Sequence, residues 1–186
     1  VRPFGLGWPN IVSVLRALLT PLLVWLILRG GDSASYIAAA VFAVGAFSDA
    51  LDGYLARRHG MVTATGIWLD PLSDKIFVGV PVVAMAASGT FPVWAATIIL
   101  AREVAVSILR AYLSSKRVSM PASIVAKAKT AAQLLAIALY LLPLGALPLG
   151  ADLDWLRTTV LLAAVGLTVY SGIDYFVRMR PVGVEP

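Results

Sequence analysis

Four aspartates stand at Asp49, Asp52, Asp70 and Asp74 in a chain of 186 residues that is 60% hydrophobic. Asp49 and Asp52 are three apart and Asp70 and Asp74 are four apart, so each pair shares one face of a helix. Two such helices side by side would bring four carboxylates into one small volume. Like charges packed so closely repel and take up protons unless cations neutralise them. Carboxylate oxygens are hard ligands suited to Mg²⁺, Mn²⁺ or Ca²⁺, and the chain has no cysteine to offer a thiolate-seeking metal. Four carboxylates suffice to bridge two divalent ions about 4 Å apart, the arrangement that clamps attacking and leaving oxygens in phosphoryl chemistry. A proton relay is the alternative use of acids among apolar residues. These acids lie toward one end of their helices and form no ladder, which speaks against it.

Small residues and one cation accompany the acids. Gly53, Ala56 and Gly66 leave room against the helix backbones for something flat or bulky. Close helix packing through small residues is the other reading of the same positions. Arg57 could pair bidentately with phosphate oxygens, or serve as an ordinary basic flank of a membrane span.

The elements that must hold these groups are long and apolar. The mean hydropathy is +0.88, and the apolar residues fall in runs long enough to cross a hydrocarbon layer of about 30 Å. Six spans are expected, over residues 10–28, 34–46 (continuing as a more polar helix to 58), 68–88, 92–113, 121–147 and 156–176. The fold class is therefore all-α, a polytopic membrane protein with six transmembrane helices forming a single domain over 1–186. The first apolar stretch lacks a small-residue cleavage site and reads as a retained span. With both termini inside, the cytoplasmic segments hold seven basic residues (Arg2, Arg57, Arg58, Lys116, Arg117, Arg178, Arg180) against two outside, Arg29 and Arg157. The positive-inside rule favours that orientation, and it sets all four aspartates at the cytoplasmic surface of the cell membrane. The net charge of +5 is too dispersed to read as a nucleic-acid surface. Lys116 and Arg117 read as a loop facing anionic membrane lipids.

Charge inside the spans needs an account, because an ionisable group at mid-bilayer costs roughly 2.5–3.5 kcal/mol. Arg16, Lys75, Arg102, Arg110, Lys127 and Lys129 fall within or at the edges of spans, as do the four aspartates, Glu103 and Asp174. Snorkelling and buried ion pairs cover Arg16, Arg110 and Asp174. Glu103 is expected to pair with Arg102 or Lys75. The clustered, short-armed aspartates are not covered in this way.

Read whole, the segment Asp49-x2-Asp52-Gly53-x2-Ala56-Arg57-x8-Gly66-x3-Asp70-x3-Asp74 resembles the signature of the CDP-alcohol phosphatidyltransferases, without departure. The resemblance implies six membrane helices, a site at the cytoplasmic interface, and transfer of a phosphatidyl or related group from a CDP-linked donor to an alcohol with release of CMP. Carried over by position, Asp49, Asp52, Asp70 and Asp74 would be ligands of two Mg²⁺ or Mn²⁺ ions. Asp74 would also be the catalytic general base. Gly53, Ala56, Arg57 and Gly66, with Asp49 and Asp52, would bind CDP. A homodimer is implied too.

Beyond the signature, Asn10-x2-Ser13-x2-Arg16, LDPLSDK (69–75), AREVAVSILR (101–110) and PASIVAKAKTAAQ (121–133) are most similar to the bacterial branch of that family that makes phosphatidylglycerophosphate. Ser13 stands where threonine is usual and Ala126 where glycine is expected. The similarity implies CDP-diacylglycerol as donor and glycerol 3-phosphate as acceptor. Inositol phosphate, or phosphatidylglycerol as in cardiolipin synthesis, are alternative acceptors for the same chemistry, and a transporter is the reading from a different class. A phosphorylated acceptor requires cations beside the metal site. Arg110, Lys127 and Lys129 are the candidates, and the two lysines, two apart, cannot both face it.

Overall fold

The computed structural model describes the backbone of residues 8–59, 64–116, 124–146 and 153–179, and side chains within 14–48, 73–116, 124–146 and 153–178. Among the described residues six α-helices follow one another: α1 Trp8–Arg29, α2 Asp32–His59, α3 Ala64–Ala87, α4 Val93–Ser115, α5 Ile124–Leu141 and α6 Asp154–Met179. No strand occurs among the described residues. The all-α expectation holds. At about 1.5 Å per residue the helices run from roughly 27 Å to 42 Å, around the thickness of a hydrocarbon layer or more.

The ends of α1, α3 and α5 have recognisable causes. Gly30 and Gly31 take φ of 68° and 85°, the left-handed region that lets α1 turn into α2. After α3, Gly89 has φ 76°, its N–H reaches Ala86 O at 3.2 Å, and Thr90 N–H reaches Met85 O at 3.0 Å. This is a Schellman closure, and it satisfies carbonyls that would otherwise be orphaned. Pro92 then enters α4 in extended conformation (φ −61°, ψ 122°). The sequence reading carried the fifth helix to 147. It stops at Leu141, because Pro143 has no N–H to continue the ladder, and a short 3-10 turn Leu144–Ala146 follows. Pro121, read as the start of that helix, lies outside the described residues. α3 begins at Ala64, four residues earlier than expected, so Gly66 is helical.

α1 packs on both α2 and α3, α5 on α6, and α4 on α6, with α2 reaching α5 and α3 reaching α4. Phe42, Phe77, Phe91, Leu23, Met85, Ile99, Ile137 and Leu161 fill the interior. What is buried and what is exposed reverses the pattern of a water-soluble protein. Arg16, Thr20, Ser73, Lys129, Gln133, Thr168 and Ser171 are inside, while Leu18, Leu28, Phe47, Ile108, Ile124, Leu162 and Ile173 stand exposed on the outer faces. Side chains of that kind are at rest in lipid, and the chain is a membrane protein. Among the described residues, Ile124–Leu141 and Asp154–Arg178 are each long and apolar enough to cross a bilayer, and Asp32–Ser48 is a shorter apolar stretch.

Candidate active site

Asp49, Asp52, Gly53, Ala56 and Arg57 occupy the C-terminal part of α2. Gly66, Asp70 and Asp74 occupy the N-terminal half of α3. The side chains of 49–72 lie outside the described residues, so Asp74 is the one aspartate of the four whose contacts can be given. What joins the two helices is visible one turn away. Phe77 on α3 stacks flat on Phe42 of α2, ring centroids 5.4 Å apart and planes 3° from parallel. The same ring covers Gly45 so closely that a Cβ there would stand 2.9 and 3.0 Å from its Cε2 and Cε1, and closer still to Cζ. Gly45 precedes Asp49 by four residues, and Phe77 follows Asp74 by three.

Asp74 meets α1. Arg16 donates from a terminal guanidinium nitrogen to Asp74 Oδ1 at 2.6 Å. Arg16 is only 4% exposed, whereas the Asp74 side chain is 45% exposed. The buried ion pair expected for Arg16 is present, and its partner is a member of the aspartate signature. Sequence reasoning missed that partner. A lone arginine within an apolar span signals that one must exist, but nothing local to Arg16 points to a residue 58 positions away.

A second polar cluster joins α4, α5 and α6. Glu103 accepts from Lys129 Nζ in a short ion pair and from Arg102 at 3.2 Å. Arg102 and Arg110 both lie within Coulombic reach of the Lys129 ammonium. Glu103 thus pairs with Arg102 as expected. Its second partner is Lys129, while Lys75, the other candidate, is solvent- or lipid-exposed. The two lysines of α5 face apart as their spacing requires, with Lys127 exposed and Lys129 buried. Arg110 is exposed on α4, its guanidinium carbon 5.4 Å from the centroid of the Tyr175 ring on α6. The stem of Arg102 lies against Gly172, its Cγ 3.5 Å from where a Cβ would stand. The last helix therefore seats two arginines of α4, a role not visible in its own apolar sequence. Asp174, the remaining acid of the spans, holds Arg178 at 2.8 Å on the same helix.

Comparison with known proteins decides the family. The profile described as CDP-alcohol phosphatidyltransferase matches residues 6–170. The chain belongs to the CDP-alcohol phosphatidyltransferase family. Within it, the chain is similar to a probable phosphatidylglycerophosphate synthase of Mycobacterium tuberculosis (strain H37Rv), with 37% identity over 94% of this chain and 82% of that protein. It is similar also to proteins named CDP-diacylglycerol–glycerol-3-phosphate 3-phosphatidyltransferase. That of Rickettsia typhi is 32% identical over 90% of this chain and 94% of its own length, and that of Bacillus subtilis 33% over 90% and 92%. The CDP-alcohol phosphatidyltransferase profile covers α1 through most of α6, so both the Arg16–Asp74 pair and the Glu103 cluster fall inside the matched region.

Proposed function

We propose that this membrane enzyme transfers the phosphatidyl group of CDP-diacylglycerol to glycerol 3-phosphate, yielding phosphatidylglycerophosphate and CMP. The names of its relatives support the choice of substrates. The observation that carries the chemistry is the seating of Phe77 on Gly45. Gly45, Asp49 and Asp52 follow the i, i+4, i+7 progression of one helical face, and Phe77, Asp74 and Asp70 follow i, i−3, i−7 on the other helix. On helices that meet at Gly45 and Phe77, we read these two stripes as sharing the α2–α3 side, a placement that would gather the four carboxylates.

That donor set, all hard oxygen from two helices that meet at Gly45 and Phe77, fits one or two divalent ions such as Mg²⁺ or Mn²⁺. Bound there, such ions would neutralise the diphosphate oxygens and the charge of departing CMP. The chain's own groups do the rest. Asp74 takes the proton from the acceptor hydroxyl. The hydroxyl oxygen attacks the phosphorus that bears diacylglycerol, and the bond from that phosphorus to the bridging oxygen breaks, with the electron pair leaving on CMP. Gly53, Ala56 and Gly66 leave space for the cytidine, and Arg57 pairs with its phosphates. Arg110 binds the phosphate of the acceptor, assisted by Lys127 at the surface. Lys129, committed to Glu103 in the free enzyme, contributes its field from beneath.

The six helices span the membrane as one domain with both termini and the site toward the cytoplasm. The excess of basic residues in the segments assigned to that side supports this orientation. The enzyme works in the cell membrane as a homodimer. The deciding experiment offers purified enzyme in micelles CDP-diacylglycerol, Mg²⁺ or Mn²⁺, and labelled glycerol 3-phosphate, inositol phosphate or phosphatidylglycerol side by side. CMP release coupled to a labelled lipid with glycerol 3-phosphate is expected. Product with another acceptor alone reassigns the acceptor, and no CMP with any of them overturns the reaction.

A further inference from the structure

We propose that Arg16, which lies outside the aspartate signature, is the positioning residue for Asp74, fixing the direction in which that carboxylate meets the acceptor hydroxyl. The inference rests on the reading of Asp74 as general base. Its geometry is that of a rigid post and a working arm. Arg16 is buried in the densely packed contact between α1 and α3, while the carboxylate it grips opens outward with nearly half its side chain exposed. The two ends of the pair thus differ: Arg16 is enclosed by the bundle, and Asp74 keeps a face that a substrate can reach. The bond is charge-assisted, at 2.6 Å from one guanidinium nitrogen to Oδ1, and a planar guanidinium directs its N–H groups more narrowly than a freely rotating ammonium does. Asp74 has two single bonds about which to swing, and a proton acceptor displaced by a fraction of an ångström loses its near-attack geometry.

The test uses the full chain in detergent with whichever acceptor supports the wild type, comparing Arg16→Gln, Arg16→Lys, Asp74→Asn and the double variant Arg16→Gln/Asp74→Asn. Arg16→Gln should lower kcat about 10- to 100-fold, as loss of an orienting partner commonly does, while the KM for donor and acceptor stays within about threefold. Mn²⁺ titration followed by electron paramagnetic resonance, without substrates, should stay within about threefold of wild type. Added to Asp74→Asn, Arg16→Gln should cost less than about threefold more, because both changes disable one unit. Arg16→Lys, which keeps the charge and loses the planar guanidinium, should recover part of kcat. Should Arg16→Gln fail to give monodisperse protein, Arg16→Lys carries the same split between kcat and KM. The proposal is overturned by an unchanged kcat, by a loss that excess Mn²⁺ restores alongside weakened Mn²⁺ binding, or by full multiplication of the two losses in the double variant. A wild type that releases no CMP with any acceptor removes the reading of the reaction and this proposal with it. A working wild type with any of the overturning outcomes removes only the proposal.

Discussion

The ring of Phe77 lies in the space that a side chain on Gly45 would need. Phe77 cannot easily retreat, since it is buried and stacked on Phe42. At this contact α2 meets α3 through a ring seated where a methyl group on Gly45 would stand. Gly45→Ala should cost about 1–3 kcal/mol as an overpacked contact, read as a lower melting temperature in detergent, together with a loss of activity. Adding Phe77→Leu should recover much of both. If Gly45→Ala alone leaves stability and turnover unchanged, the helices are not gauged here.

Asp74→Asn keeps the size of the side chain and removes its basicity. Turnover should fall roughly 10²–10⁴-fold, the usual worth of a positioned general base, while binding of CDP-diacylglycerol in a direct assay changes little. Near-normal turnover would take the role of base away from this residue.

Glu103 is the counter-charge of a buried lysine. Removing it by Glu103→Gln should destabilise the protein by about 3–5 kcal/mol, as breaking a buried pair from one side does. Replacing both partners with Glu103→Gln/Lys129→Met should give back a substantial part. Thermal unfolding of the three proteins checks this, and equal melting temperatures would mean that the pair is not buried in solution.

Arg110→Ala should raise the KM for glycerol 3-phosphate about tenfold, worth roughly 1.4 kcal/mol, with the KM for CDP-diacylglycerol nearly constant. Initial rates with each substrate varied in turn decide it. An unchanged acceptor KM would move the acceptor phosphate elsewhere.

Removing divalent ions with a chelator should stop catalysis, and readdition of Mg²⁺ or Mn²⁺ should restore it. Turnover that survives exhaustive chelation would contradict four carboxylates acting through metal.

The parts of this molecule legible in its sequence are those governed by local periodicity. Apolar runs located six helices, and three- and four-residue spacings grouped the aspartates, because a helix converts spacing into a face. Helix ends were legible only where their chemistry is local. Gly30 and Gly89 take the left-handed conformation that closes α1 and α3, whereas Pro143 ends the fifth helix several residues before the end of its apolar run. Contacts between distant segments were not legible. Arg16 and Asp74, or Glu103 and Lys129, meet because of how helices pack, and a charge in an apolar span announces that it needs a partner without saying which. Gly45 was passed over for the same reason: a small residue within a helix has no visible purpose until the aromatic ring opposite it is known.

Gly172 and Tyr175 receive the arginines of α4 from the far end of the chain. A ribosome-bound chain that has inserted only its first five helices already carries the four aspartates of the signature, but its cationic cluster still lacks the wall supplied by α6. Completion of synthesis is therefore a step in building the site. A product truncated before α6 would retain the aspartate signature on α2 and α3 and lack the surface against which Arg102 and Arg110 lie.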